Sequence, residues 1–387
     1  MTVIYILNAT IMGGATISFM NMLDGLMQKG VTPVIVIPKG RIAPEFRMYL
    51  TKKEIQYFQV PIVMNAFHQP KTLIEYAKFP LSFIKMQLYS LLLKAELKKI
   101  VTKLHPDIIH TNVGVIHAGA KIADELHIPH VFHLREYQDI DFGWKIYPSK
   151  KSFEDLLQKS SAVITITDGI RSHFHLTNNP SAQTIYNGIF HETESVLIKE
   201  KSNYFLCMSR IIPEKGHHDV IAAFSRFYSQ HPDYRLIIAG FGSKDYIKEL
   251  KVSAERLRCK DAIDFIGFQK DVTPHMSKAK ALIVASRNEG FGRMTAEACF
   301  MGSIVIGRNT AGTKEILEKT GGLTFMDTES LLARMEEVSQ MPDDAYGKIV
   351  STAQQKATRL FSTEQNVNKI YSLYNQILNR DDNQKIS

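Results

Sequence analysis

Apolar residues recur along this chain in two rhythms. Short apolar runs of strand length alternate with segments whose apolar positions fall three and four apart, the spacing of one helix face. Val3 to Leu7 is the first run, followed by the loop Thr10-Ile-Met-Gly13-Gly14-Ala15 and a helical pattern through Phe19, Met22, Leu23 and Leu26. Pro33 to Pro38, Asp107 to Thr111, His130 to Leu134, Ala162 to Thr167 and Ser181 to Tyr186 give further strands before Asn187-Gly188. After a charged stretch without pattern, the rhythm resumes with Tyr204 to Met208, Arg235 to Ala239, Ile263 to Gly267, Ala281 to Ala285 and Ser303 to Gly307. The helical positions Val220, Ile221, Phe224, Phe227 and Tyr228 fall between the first two of these. Continuous apolar runs closed by glycine suit strands buried on both faces of a parallel sheet and ending in tight turns. Alternating strand and helix predict an α/β protein with doubly wound parallel sheets, in which ligands bind beyond the carboxyl ends of the strands.

The segmentation predicts an N-terminal Rossmann-like domain over 1–188, a linker over 189–203 and a second domain over 204–361. Ser362-Thr-Glu-Gln365 reads as a capping box with Ser362 as cap. Val367, Ile370, Tyr371, Tyr374, Ile377 and Leu378 then make one apolar stripe on a helix over 362–380, and residues 381–387 read as a disordered tail.

The densest chemistry lies in Glu289-Gly-Phe-Gly-Arg-Met-Thr-Ala-Glu297. The run Ala281 to Ala285 precedes it and a helical pattern follows. A strand, a Gly-rich turn and a helix start present unpaired N–H groups and a helix dipole to an anion. Carboxylates beside such a site suit hydroxyl groups, which donate hydrogen bonds to them. Phosphate together with hydroxyls describes a nucleotide sugar. Upstream, Ser209-Arg210 closes a strand and Lys215-Gly216 precedes a helix. Arg210 offers a planar fork of donors and Lys215 a mobile point charge, a pair suited to a diphosphate. Taken alone, the two glutamates would read as solvated helix-end charges and the two cations as loop charges; it is their company that points to a ligand.

These motifs resemble the Glu-x7-Glu and Arg/Lys signatures of retaining glycosyltransferases of the GT-B fold, glycosyltransferase family 4 (group 1), of the type that builds bacterial surface polysaccharides. The resemblance covers Tyr204 to Leu317, and Asn187-Gly188 resembles the end of the family's N-terminal domain. It implies two Rossmann-like domains with an interdomain cleft, and a last helix crossing back onto the N-terminal domain. It places the donor base near Gly267 and Phe268, the ribose hydroxyls at Glu297 and the donor-sugar hydroxyls at Glu289. The backbone of Gly290, Phe291 and Gly292 approaches the sugar and distal phosphate, and Arg210 and Lys215 hold the leaving diphosphate. The first loop, with Gly13 and Gly14, closes over the donor phosphates. Without a full G-x-G-x-x-G that loop is equally a tight turn. His133, in His133-Leu-Arg135-Glu136-Tyr137 after a strand, is expected against the donor sugar, with Arg135 or Glu136 toward the acceptor and His110 and Asn112 as weaker candidates; a structural histidine is the other reading.

Composition narrows the setting. The 387 residues are natural for two domains. The first segment reads as a strand, with no basic leader, and no uncharged apolar stretch reaches the ~20 residues of a membrane span. The three cysteines, Cys207, Cys259 and Cys299, lack metal-ligand spacing and suggest reduced thiols in a cytoplasmic protein. Net charge is +8, and residues 1–188 hold 20 Lys and Arg against 14 Asp and Glu. Nine lysines and three acids lie between Lys52 and Lys103, interleaved with Phe67, Phe79, Phe83 and Tyr89. Lysines with aromatics on a helical stretch suit an anionic membrane surface, as on the inner face of the cell membrane, or equally a plain cover helix. No nucleic-acid motif is present, so nucleic acid is not an expected partner.

No cofactor and no metal are expected. Arg210, Lys215 and helix amides stand in for a cation, and Asp-x-Asp is missing. The expected donor is a nucleoside-diphosphate sugar, by default a UDP-sugar. The expected acceptor is a saccharide on a lipid diphosphate carrier, in capsule or exopolysaccharide synthesis. The alternatives are a non-catalytic nucleotide-sugar-binding or scaffold subunit and a sugar-nucleotide epimerase of the same fold.

Overall fold

A computed structural model describes residues 1–197 and 200–386, with side chains described through Arg380. The chain divides into two compact units, Met1–Gly188 with Asn366–Ser387, and Ile189–Gln365. The first unit carries β1 (Thr2–Ile6), β2 (Thr32–Pro38), β3 (Gln56–Val60), β4 (Ala66–His68), β5 (Ile108–Thr111), β6 (His130–Leu134), β7 (Trp144–Ile146), β8 (Ala162–Thr165) and β9 (Ala182–Thr184). Seven of these form one parallel sheet in the order β3-β2-β1-β5-β6-β8-β9, while β4 and β7 pair antiparallel. The second unit carries β10 (Ser202–Met208), β11 (Arg235–Ala239), β12 (Ile263–Gly267), β13 (Ala279–Val284), β14 (Ile304–Arg308) and β15 (Leu323–Phe325). They form a parallel sheet in the order β12-β11-β10-β13-β14-β15.

Both orders turn around at the first strand of their unit, next to β5 in one and next to β13 in the other. That is the Rossmann arrangement, in which successive crossovers leave for opposite sides and open a crevice between neighbouring loops at the reversal. Both units therefore have the α/β architecture of the GT-B fold.

The apolar runs explain the two-sided burial. Along β1, Val3 and Tyr5 face one core layer and Ile4 and Ile6 the other, all fully buried. The first of these layers holds Phe19, Met22, Leu23 and Leu26 from the helix Gly14–Gln28. It also holds Val367, Ile370, Leu373, Tyr374 and Ile377 from the helix Thr363–Ile386. The two helices touch closely at Gly25, where an added Cβ would lie 2.4 Å from Val367 Cγ2. Ser362 begins the last helix, its hydroxyl accepting from the Gln365 N–H at 3.3 Å.

Some boundaries differ from expectation. Residues 189–197 of the expected linker pack within the second unit: the Val196 N–H donates to the Phe300 carbonyl, and β10 begins at Ser202. Ile198 and Lys199 of that stretch lie outside the described residues. The expected tail after Arg380 continues as helix to Ile386, with no glycine or proline to end it, and Ser387 lies outside the described residues. The lysine-rich segment from Lys52 is not helical throughout. It runs through β3 and β4 before the 32-residue helix Leu73–Leu104 begins at a capping box on Thr72 and Glu75.

Candidate functional site

The second unit gathers its candidate residues where its strand order reverses. The loop after β10 carries Arg210 and Lys215, and the loop after the adjacent β13 carries Glu289. Glycine lets these loops meet. Gly216 has φ +71°, and a Cβ there would stand 2.3 Å from the Ala285 carbonyl oxygen. The Arg287 N–H donates to the Glu214 carbonyl at 3.0 Å, joining the loops again. Lys215 Nζ thereby reaches Glu289 Oε1 at 2.5 Å, with only 14% and 24% of the two side chains exposed. Arg210 is exposed, and its side chain has no hydrogen-bond or ionic partner among the described residues.

Gly290, Phe291 and Gly292 carry the chain from Glu289 into the helix Arg293–Phe300. Gly292 is its cap, with φ +89°. The Phe291 ring is 5% exposed and meets Phe361 edge to face at 5.7 Å. The loop is locked from the other side, where the Gly312 N–H donates to the Glu289 carbonyl at 2.9 Å.

Glu297 sits on the first two turns of that helix, 4% exposed. Its Oε1 accepts from Arg293 Nε at 2.5 Å, while its Oε2 is buried with no hydrogen-bond partner among the described residues. Burial raises the Glu297 carboxyl above its ordinary range, against the pull of the Arg293 guanidinium. An ionised carboxylate with one oxygen unsatisfied is costly, so this oxygen is poised to accept donors from a ligand. Thr295 Oγ1 and Thr313 Oγ1 are likewise buried without partner among the described residues. Both lie close to Gly292: a Cβ placed there would be 3.4 and 3.3 Å from them.

Gly267 and Phe268 stand at the carboxyl end of β12. Gly267 has φ +71°, and its carbonyl accepts from the Gly240 N–H at 2.8 Å. Phe268 is 68% exposed and meets the equally open Phe241 edge to face at 6.2 Å. Phe241, Arg293, Thr295 and Thr313 are absent from the sequence-based set. Two of them had a readable signal: the i,i+4 spacing of Arg293 and Glu297, and an aromatic between the glycines 240 and 242.

In the first unit, Gly13 caps the exposed start of the helix Gly14–Gln28, just past β1, and both Gly13 and Gly14 are exposed. His133, on β6, is fully buried. Its Nδ1 lies 3.2 Å from His110 Nε2, and His110 Nδ1 lies 2.6 Å from the Tyr374 hydroxyl, which donates to Tyr5 at 3.3 Å. His133 Nε2 has no partner among the described residues. Burial holds both histidines neutral, well below the ordinary imidazole value, with the Arg135 charge adding to the effect. Arg135 donates from Nε and Nη2 to Asn112 Oδ1 at 3.0 and 2.9 Å, and from Nη1 to Asn187 Oδ1 at 2.8 Å. Glu136 is pushed up to about 7 by burial and by Asp141, with Arg135 opposing. Among the described residues no cluster of His, Cys, Asp or Glu has the makings of a metal site.

Comparison with known proteins follows the same division. The family described as Glycosyltransferase Family 4 matches residues 12–193, and the family Glycosyl transferases group 1 matches residues 190–356. The O-antigen chain mannosyltransferase RfbU of Salmonella typhimurium is 28% identical over 212 residues, 53% of this chain and 57% of that protein. The chain thus spans little more than half the length of that relative. A 42.6 kDa protein in the cps region of Klebsiella pneumoniae is 22% identical over 81% of this chain and 86% of its own. Among solved structures, Anabaena Alr3699/HepE in complex with UDP superposes with a TM-score of 0.78 at 19% identity, covering 97% of this chain and 100% of that one.

Proposed function

Because the chain belongs to the glycosyltransferases of family 4 and group 1, with the GT-B fold, we propose that it is a retaining glycosyltransferase. In this reading it moves a sugar from a nucleoside-diphosphate sugar to a saccharide acceptor. The observation that carries the reading is the meeting of Lys215 with Glu289 at the reversal of the second sheet, one helix away from the unsatisfied oxygen of Glu297.

Each group has a chemical task. Glu297 Oε2 accepts the ribose hydroxyls, and the exposed Phe241 and Phe268 rings offer apolar faces to the base. When the donor enters, Lys215 exchanges Glu289 for the distal phosphate, and Glu289 is released to accept from the sugar hydroxyls. Arg210 adds a second cation, and the N–H groups at the start of the helix Arg293–Phe300 add their dipole. The barrier is loss of the diphosphate and growth of oxocarbenium charge, so cations already held at the leaving phosphate lower it most. No metal is required in this scheme. The leaving phosphate assists attack of the acceptor hydroxyl on the face it departs from, which keeps the anomeric configuration.

UDP is the expected nucleotide, as in the HepE complexes with UDP and UDP-glucose. The relatives named for the O-antigen chain and the cps region favour a surface-polysaccharide acceptor on a lipid diphosphate carrier, used at the cytoplasmic face of the membrane. The test is thermal shift with UDP, GDP and dTDP, followed by transfer from sugars of the nucleotide that binds and NMR of the product's anomeric proton. One nucleotide should stabilise the protein, and the product should keep the donor's configuration. Absence of any shift refutes the donor site, an inverted product refutes retention, and binding without transfer to lipid-linked saccharide leaves a scaffold subunit.

A further inference from the structure

The helix Leu73–Leu104 is ~48 Å long at 1.5 Å per residue. Only Leu93, Leu97 and Val101, all in its second half, are buried. Its first half is fastened along one side. Phe79 packs on Phe67 of β4 at 5.2 Å, and Phe83 packs on Tyr147, just past β7, at 4.9 Å. The opposite side is bare. Ile74, Leu81, Ile84, Leu88 and Leu91 follow one another at steps of seven, three, four and three residues, and each is 57–76% exposed. So regular an apolar stripe, left uncovered on a helix held by its other side, is a docking surface.

Charge selects the occupant. A second copy of the helix would set the flanks of the stripe against each other. One flank carries Lys78 and Lys85, seven residues apart, whose ammonium groups have no ionic partner among the described residues and would face their own copies in an antiparallel pair. The only acid from Leu73 to Ala95 is Glu75, and its carboxylate is bound to the backbone N–H groups of Lys71 and Thr72. Lys94 lies outside the stripe and is engaged with Glu125 at 2.9 Å, an acid it shares with Lys98. Like charges disfavour self-pairing, whereas anionic lipid headgroups match them. Among the described residues no helix is long and apolar enough to cross a membrane, so the stripe would lie in the interface rather than span it.

We infer that residues 73–92 form an interfacial helix that seats the protein on an anionic bilayer, with Ile74, Leu81, Ile84, Leu88 and Leu91 in the acyl boundary and Lys78 and Lys85 at the headgroups. This seating is independent of the transfer chemistry and survives its failure. The test is cosedimentation of the full chain with phosphatidylcholine vesicles with and without phosphatidylglycerol. Binding should need the anionic lipid and weaken with added salt. Neutralising Lys78 and Lys85 together (K78Q/K85Q) should lower the partition coefficient about 25-fold, roughly fivefold per lysine, while K94Q leaves it unchanged. Leu81→Ser with Leu88→Ser should abolish binding without moving the thermal midpoint, because both side chains are exposed. Equal binding of K78Q/K85Q overturns the inference, and so does failure to bind anionic vesicles. A dimer in sedimentation equilibrium that the serine variant dissociates would also overturn it, making the stripe an interface between copies.

Discussion

Replacing Glu297 with glutamine tests the donor site at one oxygen. In the free protein Glu297 Oε2 is buried and unsatisfied among the described residues, while Oε1 is held by Arg293. A ribose hydroxyl donating to an ionised carboxylate is worth about 1.5–3 kcal/mol. The glutamine variant should therefore bind UDP about 10- to 150-fold more weakly by titration calorimetry. That loss alone would not separate a lost ribose contact from a disturbed loop, since Arg293 also loses its partner. Dideoxy-UDP, lacking both ribose hydroxyls, closes the cycle. It should bind wild type more weakly than UDP does, by a similar factor, and lose little further in the variant, giving a coupling of about 1.5–3 kcal/mol between side chain and ribose. The pH dependence follows from the raised carboxyl. Protonation removes the acceptor charge, so UDP affinity should fall on acidification, beginning above the ordinary range of a glutamate. If the variant weakens UDP and dideoxy-UDP by the same factor, Glu297 does not meet the ribose.

Lys215→Ala should lower kcat about 10²- to 10³-fold, with a much smaller change in UDP affinity, if it stabilises the leaving diphosphate; steady-state kinetics with unchanged kcat would remove it from the mechanism. Gly25→Ala should destabilise the protein by about 1–3 kcal/mol, because its Cβ would meet Val367 Cγ2 at 2.4 Å, and adding Val367→Ala should restore some of the loss of thermal midpoint. Tyr374→Phe should cost about 1–3 kcal/mol in denaturant unfolding by leaving His110 Nδ1 unsatisfied, and an unchanged midpoint refutes that hydrogen-bond chain. Burial lowers His117 and His130 to about 3, and lowers His110 and His133 as well. With these four neutral when folded, the unfolded chain binds more protons below pH ~6.5, so stability should fall on acidification by about 1.4 kcal/mol per histidine per pH unit; a melting temperature flat from pH 7.5 to 5.5 would contradict it.

The sheets were legible where strands are buried on both faces. His130–Leu134 reads the same in sequence and structure, and Val3–Leu7 is offset from β1 by one residue at each end: half-buried Thr2 joins the ladder, and Leu7 stays in the core after the ladder ends. The strand β3, Gln56–Val60, escaped notice because it is a sheet edge with only Val60 fully buried. Strands β4 and β7 are three residues each and find each other across nearly eighty residues, so no local pattern marks them. In the candidate site the residue types were legible but not their pairing. Lys215 and Glu289 are 74 positions apart, and what joins them is the bare backbone of Gly216 against Ala285. The position of His133 at a strand's carboxyl end suggested an open ligand contact. Its full burial comes from His110 and from Tyr374, which arrives from the far end of the chain.

That arrival also sets an order of events during synthesis. Tyr5 and Tyr374 share a hydrogen bond across 369 positions, and the layer around Phe19 and Leu23 is completed only by Val367 to Ile377. At about 5–20 residues per second on the ribosome, roughly 10–40 seconds separate the emergence of the last strand of the first sheet from that of its covering helix. Through that interval the face that already carries the helix Gly14–Gln28 lacks the part of its cover supplied by Val367 to Ile377. Shortening the last helix should therefore be felt as aggregation of the first unit before it is felt as loss of donor binding by the second.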